Sequence, residues 1–230
     1  MPRTDKKYRA VIFDLDGTLL DTLEDLRDST NYALTQHGFP ARTLDEVRDF
    51  VGNGAARLIE RALPGGREAA AFDAVLACFR AHYQENCQCK TRPYPGVLAL
   101  LGALQAHGLR LAVVSNKPHS AVTALCAAYF SGYLDAAIGE QPGVLRKPAP
   151  DGVRQALAAL GCTAGETVYI GDSDVDIRTA ANAEMDCISV SWGFRSEAFL
   201  RQHGATTVAA APEALLRLLL PPARAEKALL

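Results

Sequence analysis

No run in the 230-residue chain approaches the roughly 18 consecutive apolar residues that a membrane-spanning helix needs. The first residues, Met1-Pro2-Arg3-Thr4-Asp5-Lys6-Lys7, lead toward a strand rather than a signal-type apolar region, so a cytoplasmic protein without membrane partners is expected. Neither charge is in excess: 24 Lys and Arg against 26 Asp and Glu leave a net −2, which offers no global attraction to nucleic acid or to an anionic membrane. Small-molecule chemistry is the default that remains. Zinc-type spacing is missing too. The six cysteines (Cys78, Cys87, Cys89, Cys126, Cys162, Cys187) are scattered, and the close pair Cys87-x-Cys89 has no second pair or nearby histidines to complete a site. No internal repeat and no low-complexity segment interrupts the chain.

What is present is an ordinary globular composition, 49% hydrophobic and 22% charged. The length exceeds the prior of about 150 residues per domain, so a single large domain or a core with a smaller insert is expected. The most informative stretch is Val11-Ile12-Phe13-Asp14-Leu15-Asp16-Gly17-Thr18. An apolar run long enough for a buried strand stops at two aspartates flanking a leucine, followed by glycine and threonine. In an open parallel sheet, ligand crevices form at the strands' carboxyl ends, where such a pair of acids is well placed for chemistry. Asp and Gly are also common turn residues, so this stretch alone leaves an ordinary strand-to-turn junction open.

After this strand, Asp21 or Thr22 is expected to cap a helix with apolar positions Leu23, Leu26, Ala33 and Leu34 and its stop at Gly38. Thr43-Leu44-Asp45-Glu46 has the form of a capping box opening a helix that ends at Gly52. The Gly52-Asn53-Gly54 loop precedes a short helix, Ala55 to Leu63, broken at Pro64-Gly65-Gly66. Phe72, Val75, Leu76, Phe79 and Tyr83 then mark the buried face of a longer helix. Nothing but helices is expected from about Asp21 to Arg92, which resembles a helical domain inserted into an α/β one. Pro93-Tyr94-Pro95-Gly96 returns the chain to the core as a plausible hinge.

From there helices and strands alternate: helix Val97 to His107, strand Leu109 to Val114, helix His119 to Phe130 and strand Ala136 to Ile138. Helix Asp151 to Leu160, strand Thr167 to Ile170, helix Asp176 to Ala183 and strand Cys187 to Val190 continue the pattern, and Pro212 to Leu220 reads as a closing amphipathic helix. Alternation of this kind implies a doubly wound parallel sheet. The expected division is 1–20 and 93–220 as an α/β catalytic core, 21–92 as a helical cap, and 221–230 as a loosely held tail.

Three further polar clusters follow strands. Ser115-Asn116-Lys117-Pro118 ends one, with Pro118 at an expected first helical position, so that a hydroxyl and backbone amides meet an anion at a helix N-terminus. Lys147-Pro148 sits in an irregular stretch, where the lysine supplies a point charge for phosphate. Gly171-Asp172-Ser173-Asp174-Val175-Asp176 ends another strand with acids that repel one another unless a cation is near. Each cluster alone is compatible with a cap or a solvated turn. A parallel sheet, however, brings all four to one edge, and a catalytic site accounts for them together. The hard oxygen donors suit Mg²⁺, which combines few carboxylates with water and substrate phosphate. A carboxylate attacking an anionic phosphoryl group needs such a cation, a lysine and amide dipoles to offset the repulsion.

Asp14-x-Asp16-Gly17-Thr18, Ser115-Asn116, Lys147-Pro148 and Gly171-Asp172-x-x-x-Asp176, in that order, resemble the four motifs of the haloacid dehalogenase-like phosphohydrolases, and a helical insert after the first motif is similar to that superfamily's first cap type. The resemblance implies Asp14 as the nucleophile that forms an aspartyl-phosphate. It implies Asp16 as the acid that protonates the leaving alcohol and then, as base, activates water. It assigns Mg²⁺ to Asp14, the Asp16 carbonyl and Asp172. Ser115 and Asn116 are to grip the phosphate, Lys147 to neutralise it, Asp176 to orient Lys147 or metal-bound water, and Thr18 to fix the loop. Asp174 falls outside the metal pair in this spacing. An acid at position 16 argues against the dehalogenase branch, which has no alcohol to protonate.

Val51-Gly52-Asn53-Gly54, the Arg57 to Leu63 run, Tyr83-Gln84-Glu85-Asn86 and Tyr94-Pro95-Gly96-Val97 further resemble the phosphoglycolate phosphatases. That implies a two-carbon acid phosphate as substrate, with Gly52, Asn53 and Gly54 offering amides and Arg57 meeting a carboxylate. A helix-helix turn at Gly52-Asn53-Gly54, a sugar-phosphate phosphatase or phosphomutase on the same fold, and a non-catalytic regulatory protein are the alternatives. The expected partner is a small phosphate ester, with a monomer or homodimer as the assembly.

Overall fold

In the computed structural model, which describes residues 8–220, the first strand β1 (Ala10–Phe13) lies at the centre of the sheet. The remaining strands are β2 (Leu20–Asp21), β3 (Arg92–Pro93), β4 (Arg110–Pro118), β5 (Ala136–Glu140), β6 (Thr167–Gly171), β7 (Asp186–Val190) and β8 (Val208–Ala209). The main sheet has six strands in the order β5-β4-β1-β6-β7-β8, every pair parallel. The chain winds from β1 to β4 and β5 on one side, then returns to β6, β7 and β8 on the other. The order therefore reverses beside β1, where doubly wound sheets open their ligand crevice. Register sets the edge: Phe13 is level with Val113 of β4 and Ile170 of β6, so the residues after all three strands emerge together.

Helices cover both faces. They are α1 (Leu23–Gln36), α2 (Leu44–Phe50), α3 (Ala55–Ala62), α4 (Phe72–Asn86), α5 (Val97–Ala106), α6 (His119–Phe130), α7 (Asp151–Leu160), α8 (Asp174–Asn182), α9 (Glu197–Gln202) and α10 (Pro212–Leu219). β1 explains its own unbroken apolar sequence. Val11 and Phe13 point into one hydrophobic cluster, and Ala10 and Ile12 into a second on the opposite face. The first cluster also reaches α1, α3 and α4 through Leu34, Ile59, Phe79 and Tyr83, so this helical block shares its core with one face of the sheet.

Several local expectations are corrected. Thr22 is the N-cap residue of α1 but makes no side-chain cap; its hydroxyl donates instead to Asp16 Oδ1 at 2.6 Å. Asp21 and Arg92 are not helical: β2 and β3 pair antiparallel, Leu20 with Pro93 and Asp21 with Arg92, closing the base of the helical block. A buried carboxylate reinforces that closure, since Asp25 accepts from the amides of Lys90 and Thr91 at 2.8 to 3.0 Å. The capping box at Thr43 and Glu46 is present, yet α2 ends at Phe50 rather than at Gly52. α6 spans His119–Phe130 as expected, but β4 runs on to Pro118, which is therefore not the first helical residue, and Ser115 and Asn116 stand on extended backbone rather than at a helix N-terminus. α8 starts at Asp174, capped by Ser173. Neither α9 nor β8 was expected. The tail assigned to 221–230 lies outside the described residues.

Candidate active site

Asp14 leaves β1 at the centre of the carboxyl edge, with Lys147 from the loop after β5 directly beside it. Lys147 Nζ is 2.8 Å from Asp14 Oδ1, 2.8 Å from Asp176 Oδ1 and 3.2 Å from the Tyr169 hydroxyl. Its ammonium is buried, and the two carboxylates hold its pKa well above the usual lysine value despite the cost of burial. The loop that carries it is fixed by Asn116. The Lys147 amide donates to Asn116 Oδ1 at 2.7 Å, and Asn116 Nδ2 returns a bond to the Lys147 carbonyl at 3.1 Å. The Asn116 side chain is thus committed to orienting the lysine. The Ser115 hydroxyl accepts from the Lys117 amide at 3.2 Å and borders the same cavity, its own proton left to donate.

Beyond β6, Asp176 closes α8's capping box. Its Oδ2 accepts from the Ser173 amide and hydroxyl while its Oδ1 faces Lys147, so its carboxylate is fully used. Asp172 accepts from the Phe194 amide at 2.7 Å and from the Thr18 hydroxyl at 3.3 Å. The packing here leaves no room for side chains. A Cβ on Gly17, whose φ is +82°, meets Asp172 Oδ2 at 2.3 Å, and one on Gly193 meets the Gly17 carbonyl at 2.1 Å.

Ligand oxygens of Asp14, Asp172 and Asp176 lie within 4.8 Å of one another, all buried. Three carboxylates against the single ammonium of Lys147 leave two unmatched negative charges, which is the deficit a divalent cation fills. Burial, and then the charge of Asp176, push Asp14 well above the ordinary carboxylate range and Asp172 up to about 7. All donors are hard oxygens, so the set fits Mg²⁺. Asp174 is not among them: it pairs with Arg178 at 2.6 Å on the helix surface.

The acids open onto a cavity of about 530 Å³, roofed by the helical block through Leu26, Leu58, Phe79 and Tyr83. Gly52 and Gly54 line it. Asn53 contributes its carbonyl to Arg146, at 3.5 Å. Arg57 is not at the cavity, since it pairs with Glu60 and is half exposed. Among the cations that line it without a role expected from the sequence, Lys117 and Arg195 make the firmest contacts. Lys117 bonds Asp16 Oδ1 at 2.7 Å and the Tyr83 hydroxyl at 2.5 Å, its ammonium 4.6 Å from that ring's centre. Arg195 donates to the carbonyls of Arg48, Asp49 and Val51 at the C-terminal end of α2, clasping the helical block to the loop after β7. The one signal for Lys117 was a lysine placed directly after Ser115-Asn116; Arg195 had none.

The chain matches the model of the haloacid dehalogenase-like hydrolases over residues 11–190. It is 38% identical over 199 residues to a phosphoglycolate phosphatase from Rhodospirillum rubrum, covering 82% of each chain. A plasmid-borne phosphoglycolate phosphatase from Cupriavidus necator is 35% identical over 215 residues, 92% of this chain and 93% of the other. Among solved structures, a protein of Lactobacillus delbrueckii subsp. bulgaricus that carries the phosphoglycolate phosphatase name provisionally superposes with a TM-score of 0.91 at 41% identity, over 94% of this chain and 99% of its own.

Proposed function

The chain belongs to the haloacid dehalogenase-like hydrolases, with phosphatases as its relatives, and from that premise we propose that it is a Mg²⁺-dependent phosphatase of 2-phosphoglycolate acting through an aspartyl-phosphate. The observation that carries the reading is the convergence of Asp14, Lys147, Asp172 and Asp176 within one buried cluster at the sheet's carboxyl edge.

In this reading Asp14 attacks phosphorus with its free carboxylate oxygen, the bond to the ester oxygen breaks, and Asp16 passes a proton to the departing alcohol. Water then gives its proton to Asp16 and attacks the aspartyl-phosphate at phosphorus, which frees inorganic phosphate and restores Asp14. Lys147 balances phosphoryl charge, held in place by Asp176 and, through the backbone, by Asn116; Ser115 donates to a phosphoryl oxygen. Asp14, Asp172 and the Asp16 carbonyl would hold Mg²⁺, which would supply charge neutralisation for the phosphoryl group. Thr18 fixes Asp172, to which its hydroxyl donates.

Residues 21–92 act as a cap that closes over the core formed by 1–20 and 93–220. The two-stranded β2-β3 ribbon at its base, and the contacts of Arg195 with α2 and of Tyr83 with Lys117, support this division. Gly52, Asn53 and Gly54 form the cap loop over the leaving group, and Arg57 stands one turn behind it. A cavity of about 530 Å³ exceeds what a two-carbon acid requires, and this favours a sugar phosphate as the second reading.

Phosphate release from 2-phosphoglycolate, sugar phosphates, nucleotides and an aryl phosphate, each with Mg²⁺ and with chelator, tests the proposal. Metal-dependent turnover led by phosphoglycolate is expected. Turnover led by a sugar phosphate replaces the substrate and keeps the chemistry; turnover indifferent to chelator overturns the metal assignment.

A further inference from the structure

Lys117 is a buried cation that none of the steps above uses. Its backbone is the continuation of β4 beyond Ser115 and Asn116, and its side chain enters the cavity on the side of Asp16. Its ammonium is buried between Asp16 Oδ1 at 2.7 Å and the Tyr83 hydroxyl at 2.5 Å. Of the other cations at the cavity, Lys147 is held by Asp14 and Asp176 and Arg195 by three backbone carbonyls of the helical block, while Arg80 is exposed.

An ammonium carries three donors. Two are taken, by Asp16 Oδ1 and the Tyr83 hydroxyl, and no other acceptor among the described residues engages the third. Asp16 is also the group that faces the ester oxygen in the proposed reaction. A cation bonded to it therefore stands beside the leaving group. Tyr83 comes from α4, so the cation is completed only where the helical block meets the sheet edge.

Resting on the phosphatase reading above, we infer that Lys117 is the specificity-determining residue that receives an anionic group on the leaving alcohol, the carboxylate in the case of phosphoglycolate. Tyr83 fixes the ammonium's position through its hydroxyl and ring, and the short reach from Lys117 to Asp16 favours acids whose carboxylate lies close to the ester oxygen. Arg57, paired with Glu60 outside the cavity, does not supply this contact in the structure.

The test compares kcat/KM for 2-phosphoglycolate with that for ethyl phosphate, its counterpart with a methyl group in place of the carboxylate, in the parent enzyme, Lys117→Met and Lys117→Arg. The parent is expected to prefer phosphoglycolate. Lys117→Met is expected to lose about 10- to 150-fold of that preference, the value of one hydrogen bond to a charged group, and Lys117→Arg to regain part of it. Equal losses on both esters in Lys117→Met show a lysine that only positions Asp16 and overturn the inference. A parent enzyme without preference for phosphoglycolate refutes the substrate reading by itself, before any variant is measured. Lys117→Gln, which keeps a donor for Asp16, repeats the comparison if the methionine variant does not fold.

Discussion

Replacing Arg195 with alanine removes the clasp between the loop after β7 and the end of α2. The guanidinium donates to the Arg48 carbonyl at 2.6 Å, the Val51 carbonyl at 2.8 Å and the Asp49 carbonyl at 3.2 Å. These are among the last carbonyls of α2, which have no partner within the helix and carry the negative end of its dipole. A hydrogen bond from a charged donor contributes about 1.5–3 kcal/mol, and partial exposure of Arg195 places each of these near or below the lower bound. The two short bonds together then hold the helical block down by about 2–3 kcal/mol, with the long third bond adding little. Lost from a closing equilibrium, that amounts to a factor of about 30 to 150.

Arg195→Ala is therefore expected to lower kcat/KM on phosphoglycolate by up to this factor. Hydrogen exchange should speed up at residues 48–54, while the sheet keeps its protection. Arg195→Lys recovers little, because an ammonium cannot span three carbonyls as the planar fork does. Unchanged exchange at 48–54 together with kcat/KM within about twofold of the parent would refute the clasp, since even one lost bond of about 1 kcal/mol predicts more.

Other perturbations have equally definite outcomes. Asp14→Asn should end turnover while the melting temperature stays close to or above the parent's, because it removes a buried charge held in an acidic cluster; ordinary turnover by this variant would exclude Asp14 as nucleophile. Gly193→Ala forces a Cβ to 2.1 Å from the Gly17 carbonyl and 2.6 Å from Asp172, so calorimetric Mg²⁺ titration should show weakened binding, and parent-like binding would contradict the packing. Asp172, pushed up to about 7 by burial and then by Asp176, against 3.8 ordinarily, favours folding most when protonated. Its contribution is full below the unfolded value and lost as pH rises through about 7. Measured against Asp172→Asn, the metal-free parent should thus lose melting temperature from about pH 4 to 7, and Mg²⁺ should stabilise it more at pH 8 than at pH 5; the opposite slope would refute the assignment.

The parts legible in the sequence are those set by local pattern. β1 announces itself because Ala10 to Phe13 is apolar on both faces, and its end shows because Asp14 and Asp16 interrupt that run. Thr43 and Glu46 signal a helix start three residues apart, and the structure forms that capping box. Where partners lie far along the chain, the pattern is silent. Asp16 and Lys117 are 101 positions apart, and Arg195 and Val51 are 144 apart, so the neighbours of neither cation disclose its partner. Pro118 misled for a physical reason: proline suits a first helical position, yet β5 pairs with β4 as far as Glu140 opposite Pro118, which holds that segment extended. Two-residue strands such as β2 and β3 are too short for any alternation to show. The resemblance assigns Asn116 to phosphate; only the fold reveals Lys147's backbone as the partner of its side chain.

In the proposed reaction Asp14 carries the phosphoryl group. Mixing enzyme with excess 2-phosphoglycolate and Mg²⁺, quenching in acid within the first turnover, and mapping the digested chain by mass spectrometry tests this directly. A phosphoryl adduct on the peptide containing Asp14, absent from Asp14→Asn, is predicted. Rapid phosphate release with no adduct on that peptide at any quench time would contradict it and point to direct attack by water.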